Sequence, residues 1–270
     1  MCFDSGSMQK RFIPIMHALG IKKHLLMMVF FISMLCYGEI IQFSAAEQEC
    51  FILTNSTSVV EWKSLNTTNL IRVVHRNAYD WRLPTLTGDK ISFLNASPLE
   101  FLPSELKTYA KIFVVAHANN LKPWSTLVDA DIGLNVLPNA FAATGESGFK
   151  FYKSSNTAKV YINGEQTTHT LINQSFIVEL SLDEPSNLNN VFIGGSPATT
   201  YWNRSWDGYI YEILFVEEEL TEEQYSAIYT YLSIKHKIPV AIELNDNAYT
   251  VLKALNIRSG SAFTTMILMR

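Results

Sequence analysis

Residues 206–239, WDGYIYEILFVEEELTEEQYSAIYTYLSIKHKIP, constrain the fold of this chain more than any other stretch. The first half alternates as a strand does, with side chains on opposite faces in turn. Tyr209, Tyr211, Ile213 and Phe215 fall on one face, and Ile210, Glu212, Leu214 and Val216 on the other. Both faces are largely apolar, which predicts a strand buried between two layers. Glu212 is the exception, and a carboxylate in such a run needs a partner or water. The second half carries a helix start. Thr221 followed by Gln224 fits a capping box. Glu222 and Glu223 then lie in the first turn, where the helix dipole favours negative charge. Tyr225, Ile228, Tyr229 and Leu232 make one apolar stripe. Lys235, His236 and Lys237 occupy the last turn, and Pro239 closes it.

The N-terminus bears on destination. Lys22 and Lys23 precede an almost wholly apolar run over 25–37, shorter than the roughly 20 residues of a membrane span. Ser44-Ala45-Ala46 supplies the small residues of a leader cleavage site. The expected division is therefore residues 1–46 as a signal peptide, 47–239 as the folded domain, and 240–270 as a C-terminal extension. An uncleaved signal-anchor is the alternative, because Ile40, Ile41 and Phe43 prolong the apolar character; only in that case is a membrane a partner. No lipobox precedes Cys36 or Cys50. Either way the chain is expected to be secreted or at the cell surface.

Removal of residues 1–46 takes away four of the 21 Lys and Arg and two of the 25 Asp and Glu, so the formal charge moves from −4 to −6. No basic patch with interleaved aromatics remains, which argues against nucleic acid as a partner. Cys2 and Cys36 leave with the leader. The lone Cys50 cannot form an internal disulfide, so the fold must stand on its core. Five Asn-x-Ser/Thr sequons, at Asn55, Asn66, Asn95, Asn173 and Asn203, are candidate glycan acceptors in a secretory protein.

Between these ends the chain reads as short strands separated by turn chemistry. Candidates are 71–75, 90–94, 110–117, 125–128, 148–152, 158–162, 166–171, 175–180, 191–193 and 209–216. Many short strands without long helices predict an all-β sandwich or barrel. Asn163-Gly164, between KVYI and EQTTHTL, predicts a two-residue hairpin turn. Beyond Pro239, residues 247–257 fit a short helix and FTTMILM a strand.

The ordered segments VVEWKS, RLPTLTGDKISFLNASPLEF, KIFVVAHANN, STLVDADIGLNV, KVYINGEQ, NVFIGGSP and the closing strand with its helix resemble the LamG-like, concanavalin A-like lectin/glucanase superfamily. The resemblance covers roughly residues 59–239. It implies a two-sheet antiparallel jelly-roll sandwich with one C-terminal amphipathic helix. Members include glycan-binding modules, adhesion modules and parts of enzymes, so the fold does not choose among them.

Retaining glycosidases of this fold set carboxylates at alternate strand positions, E-x-D-x-E, about 5–5.5 Å apart, and no such triplet occurs here. Asp129 and Asp131 have the spacing but lack a third carboxylate. Gly145-Glu146-Ser147-Gly148 is one residue short of a nucleophile elbow. His75, His117, His169 and His236 never pair at metal-ligand spacing. No catalytic residue is assigned and no cofactor is required. Calcium is held open: LamG-like domains bind it with Asp and backbone carbonyls, and Asp129 and Asp131 lie in the matching region, with Asp183 and Asp246 in other polar stretches.

The cluster that points to a ligand is Tyr201-Trp202-Asn203-Arg204-Ser205-Trp206-Asp207. Tyr201 and Trp202 offer flat apolar faces to sugar rings, and Asn203, Arg204 and Asp207 offer hydrogen bonds. Trp206 reads better as a plug at the sandwich edge. The expected function is non-catalytic glycan binding. The alternatives are a structural or adhesion module that binds an extracellular protein, and a degenerate glycoside hydrolase-like domain.

Overall fold

The structure, a computed structural model, describes residues 39–73, 82–103, 108–120, 125–131, 139–140, 143–144, 151–152, 158–167, 169, 172–187, 189–195 and 205–259. The compact unit that holds them begins at Glu39. Its strands are β1 (Ile40–Ser44), β2 (Phe51–Thr54), β3 (Ser58–Lys63), β4 (Leu70–Val73), β5 (Thr85–Thr87), β6 (Lys90–Ser92), β7 (Leu99–Leu102), β8 (Thr108–Ala118), β9 (Val128–Asp131), β10 (Asn139–Ala140), β11 (Ala143–Thr144), β12 (Phe151–Tyr152), β13 (Ala158–Ile162), β14 (Glu165–Gln166), β15 (Gln174–Asn187), β16 (Asn189–Ile193) and β17 (Gly208–Val216). Two helices follow, α1 (Glu222–His236) and α2 (Ala248–Ala254).

The fold is an antiparallel all-β sandwich, as expected. One layer runs β10-β9-β16-β7-β4-β3, the other β6-β17-β8-β15-β13-β14, and β5 joins them between β3 and β6. The layers face each other across one core. Trp62, Ile71, Phe101 and Val191 come from the first, and Val114, Phe176, Ile213 and Phe215 from the second. Phe101 and Phe215 stack across it with centroids 4.2 Å apart. Burying aromatic and aliphatic side chains of this size stabilises by about 1.5–3 kcal/mol each.

β17 is an interior strand of the second layer, and its alternation breaks where β8 faces it. Ile210 pairs with Ala116 and Glu212 with Val115, so Tyr211 is an extra, bulged residue. Ile210 therefore shares the inner face with Ile213 and Phe215, while Glu212, Leu214 and Val216 turn outward beneath α1. The expected grouping of Ile210 with Glu212 and of Tyr211 with Ile213 is thus corrected by one register step.

The other edge of β17 is divided. Tyr209 and Ile210 pair with β6, and residues 212–216 pair with β1 over five positions. All five residues of β1 are buried. Phe43 sits among Trp62, Phe101 and Phe215, at 5.6, 6.0 and 6.2 Å between ring centroids. The domain boundary expected after residue 46 therefore falls inside the compact unit rather than at its edge.

The local signals at the other end hold. Thr221 caps α1, accepting from the Gln224 amide while the Gln224 side chain accepts from the Thr221 amide. The helix ends on Lys237 in the left-handed conformation, two residues before Pro239. Its buried surface is wider than the expected stripe, taking in Ala227, Tyr231 and Ile234, because residues 240–259 cover a second side with Ala248, Leu252, Leu255 and Ile257. Asn163 and Gly164 form the hairpin turn between β13 and β14, both with positive φ. FTTMILM lies outside the described residues.

Candidate functional site

The outer face of the second layer is divided between a helix-covered end and an open end. Under α1, Phe113, Val115, Ile177, Leu214 and Val216 pack against the helix, and two carboxylates are buried among them.

Glu212 Oε1 accepts from the Tyr231 hydroxyl at 2.6 Å and from Gln42 Nε2 at 2.8 Å. Its Oε2 lies 2.8 Å from both Lys235 Nζ and His236 Nε2. Burial pushes the Glu212 pKa up, but Lys235 and His236 outweigh it and hold the carboxyl at about 2. Glu179 Oε2 accepts from the hydroxyls of Tyr225 and Tyr229 at 2.7 and 2.8 Å. Lys111 Nζ stands 3.5 Å from its other oxygen. Here burial prevails and the carboxyl is raised. These two groups tie α1 to the sheet, and α1 lies between them and solvent.

Beyond α1 the same face carries a strip of outward residues in register across four strands. Ser175 on β15 pairs with His117 on β8. His117 pairs with Tyr209 on β17, and Tyr209 with Ser92 on β6. At the usual strand spacing this row is about 14 Å long. Ser175 Oγ lies 3.3 Å from His117 Nδ1 and donates to the Tyr211 hydroxyl at 3.5 Å. The Tyr209 ring is 5.8 Å from that of His117, and the Lys90 ammonium stands 4.1 Å from its centroid. Burial, and then the charge of Lys90, lowers the His117 pKa and favours the neutral ring. All six side chains are partly exposed. His236, whose ring is 5.8 Å from that of Tyr211, bounds the strip on the helix side.

Asp207 leads into this strip. It is half-buried, and its carbonyl accepts from the Asn119 amide at 2.9 Å. Trp206 is fully buried, as its reading as a plug expects, with its ring edge-on to Phe176 and Nε1 donating to the His117 carbonyl at 3.1 Å. Gly208 makes that approach possible, since a Cβ there would strike the His117 carbonyl oxygen and the indole. Tyr201, Trp202, Asn203 and Arg204 lie outside the described residues, so the strip, not the aromatic loop, is the part of the site with defined geometry. The sequence held its signal in the period-two spacing of Tyr209 and Tyr211. In a segment apolar on both faces, that spacing does not tell an open face from a covered one.

The acidic candidates for calcium do not sit in a common loop. Asp129 is a buried residue of β9, paired with Phe192, and Asp131 ends the same strand. Asp183 belongs to β15, 3.5 Å from Lys159. Asp246 alone of the four lies in a connection, between α1 and α2. Among the described residues no three His, Cys, Asp or Glu side chains gather as metal ligands would. Cys50 is buried, and burial followed by Glu49 raises its thiol pKa. Asn55, Asn95 and Asn173 are exposed turn residues with positive φ. Asn66 differs: its Nδ2 donates to the carbonyls of Ile40 and Asn256, and its Oδ1 accepts from the Gln42 amide. Asn203 lies outside the described residues. Among the described residues no helix is long and apolar enough to cross a membrane.

No protein-family model matches the chain, and no curated protein sequence matches it. A search of solved structures finds domain 4 of AbnA, a GH43 extracellular arabinanase from Geobacillus stearothermophilus, in complex with arabinotriose. It is 14% identical, with a TM-score of 0.39 over 68% of this chain and 95% of that one. The likeness is too slight to match residues.

Proposed function

We propose that this chain is a secreted or cell-surface LamG-like sandwich domain that binds glycan without catalysis, through the strip Ser92–Tyr209–His117–Ser175 and the loop that enters at Asp207. The supporting observation is the strip itself. It is a row of aromatic and hydrogen-bonding side chains in register, left open beside the stretch of the same face that α1 covers. Sugar rings present an apolar face to an aromatic ring and hydroxyls to the groups around it. Tyr209 and Tyr211 would supply the first contact. Ser92, Ser175 and a neutral His117 would supply the second, each able to donate and accept. Lys90 adds one positive charge at the end of the row, which favours glycans carrying a carboxylate or sulfate.

A glycan array with neutral and acidic members, run with calcium and again with chelator, tests this reading. Tyr209→Ala is expected to weaken binding at least tenfold, a loss of about 1.4 kcal/mol. Binding by the unaltered chain that survives Tyr209→Ala but is lost in Trp202→Ala would move the site into the loop. An array on which the folded chain binds nothing would favour an adhesion role toward protein. Loss of binding with chelator alone would make calcium part of the site, and turnover of any polysaccharide would end the non-catalytic reading.

A further inference from the structure

The N-terminal strand bears directly on where a leader is removed. Cleavage after Ala46 would delete β1, the strand that pairs with the second edge of β17 over positions 212–216. Phe43 would leave the aromatic cluster of Trp62, Phe101 and Phe215. Gln42 would leave Glu212 and Tyr231, to both of which its Nε2 is 2.8 Å, and the backbone amide of Arg258, which donates to its Oε1. Asn66 would lose the Ile40 carbonyl and the Gln42 amide, and Lys235 would lose Ser44 Oγ. A five-residue buried strand is not a discardable leader end.

Glu39, which immediately precedes β1, carries a second, independent sign. The Glu39 backbone nitrogen donates to Glu217 Oε2 at 3.2 Å, and the Glu217 amide donates back to the Glu39 carbonyl. Tyr109 lies in the same neighbourhood, its hydroxyl pKa raised by burial and then by Glu217 and Glu39. If Glu39 began the mature chain, that nitrogen would be an ammonium placed on a carboxylate, a charge-assisted version of a bond already formed. In the sequence, Cys36-Tyr37-Gly38 sets small residues at the third and first positions before Glu39, directly after the apolar run over 25–37.

We propose that the chain is processed at the Gly38–Glu39 bond, so that the mature protein begins at Glu39 and keeps β1. In the step, water adds across the amide. Its oxygen joins the Gly38 carbonyl carbon as a carboxylate, and the departing Glu39 nitrogen takes up protons as an ammonium. A leader peptidase acts on the unfolded chain, so the folded structure selects the site through the stability of its product, not by shielding other bonds. The proposal rests on the secretory reading above, and the experiment separates the two.

The full chain is expressed in a secretory host, and the product is read by N-terminal sequencing and intact mass. A start at Glu39 is expected. A start at Glu47, or at any other position after a cut, overturns this proposal and leaves secretion standing. A product that keeps residues 25–38 in the membrane overturns this proposal and leaves a surface location standing, and one that keeps them inside the host cell overturns both. Chains made directly from Glu39 and from Glu47 provide a second readout. The Glu39 chain is expected to unfold cooperatively, and the Glu47 chain to melt more than about 10 °C lower or show no transition; equal melting temperatures would overturn the proposal. In the Glu39 chain, acetylating the terminal amine is expected to lower the melting temperature by about 2–4 °C, and to have no such effect in Glu217→Gln.

Discussion

Glu212 and Glu179 are alike in burial and opposite in electrostatics. Glu212 has the Lys235 ammonium and the His236 ring each 2.8 Å from one of its oxygens. Its folded pKa of about 2 lies below the ordinary carboxylate value. Such a group stabilises the fold above its unfolded pKa of about 4.3 and loses that contribution as pH falls toward 2, an effect of about 3 kcal/mol. Glu179 works in the other sense. Its raised pKa means that the folded state takes up its proton more readily than the unfolded chain, so acid favours the fold through this residue. Glu212→Gln is therefore expected to cost about 3–5 kcal/mol at pH 7, because it leaves Lys235 without its carboxylate in a buried setting. Its urea-unfolding stability should also vary less between pH 2 and 5 than that of the unaltered chain. Glu179→Gln keeps an acceptor for the Tyr225 and Tyr229 hydroxyls, and is expected to cost about 1 kcal/mol or less. Comparable losses from the two substitutions would refute this assignment.

At the scale of elements, the parts specified by neighbouring residues were legible and those specified at a distance were not. The capping box of Thr221 and Gln224 and the turn at Asn163-Gly164 are contained within a few residues, and both form as read. Thr221→Ala is accordingly expected to lower stability by about 1 kcal/mol, measured in urea, with α1 still helical by circular dichroism. β1 was missed because IIQF merges with the apolar run before it. The feature that makes it a strand is the edge of β17, which local composition does not contain. The bulge at Tyr211 was missed for a related reason. Strict alternation and alternation with one inserted residue look the same over a segment apolar on both faces, and only pairing with β8 separates them. The open strip followed from the same step, since it depends on which residues lie opposite one another on four strands. The family resemblance sets Asp129 in a region that could hold calcium, and the structure places it, buried, inside β9.

At the scale of the whole molecule, one core joins both layers. Phe215 touches Phe43, Phe101 and Tyr109, which belong to three other strands. Phe215→Ala is expected to cost about 3–5 kcal/mol, while unfolding still proceeds in a single transition with near- and far-UV circular dichroism coinciding. Separate transitions would mean that the layers are held independently. The pairing of β1 with β17 also sets the order in which the chain can be completed. Gln42 and Glu212 meet across 170 positions of sequence, so β1 emerges first during synthesis and finds its neighbours last. Contacts this remote slow folding, because a long loop must close before they contribute. Until β17 arrives, the apolar residues of β1 wait in the open, where a translocation channel or a chaperone would have to hold them.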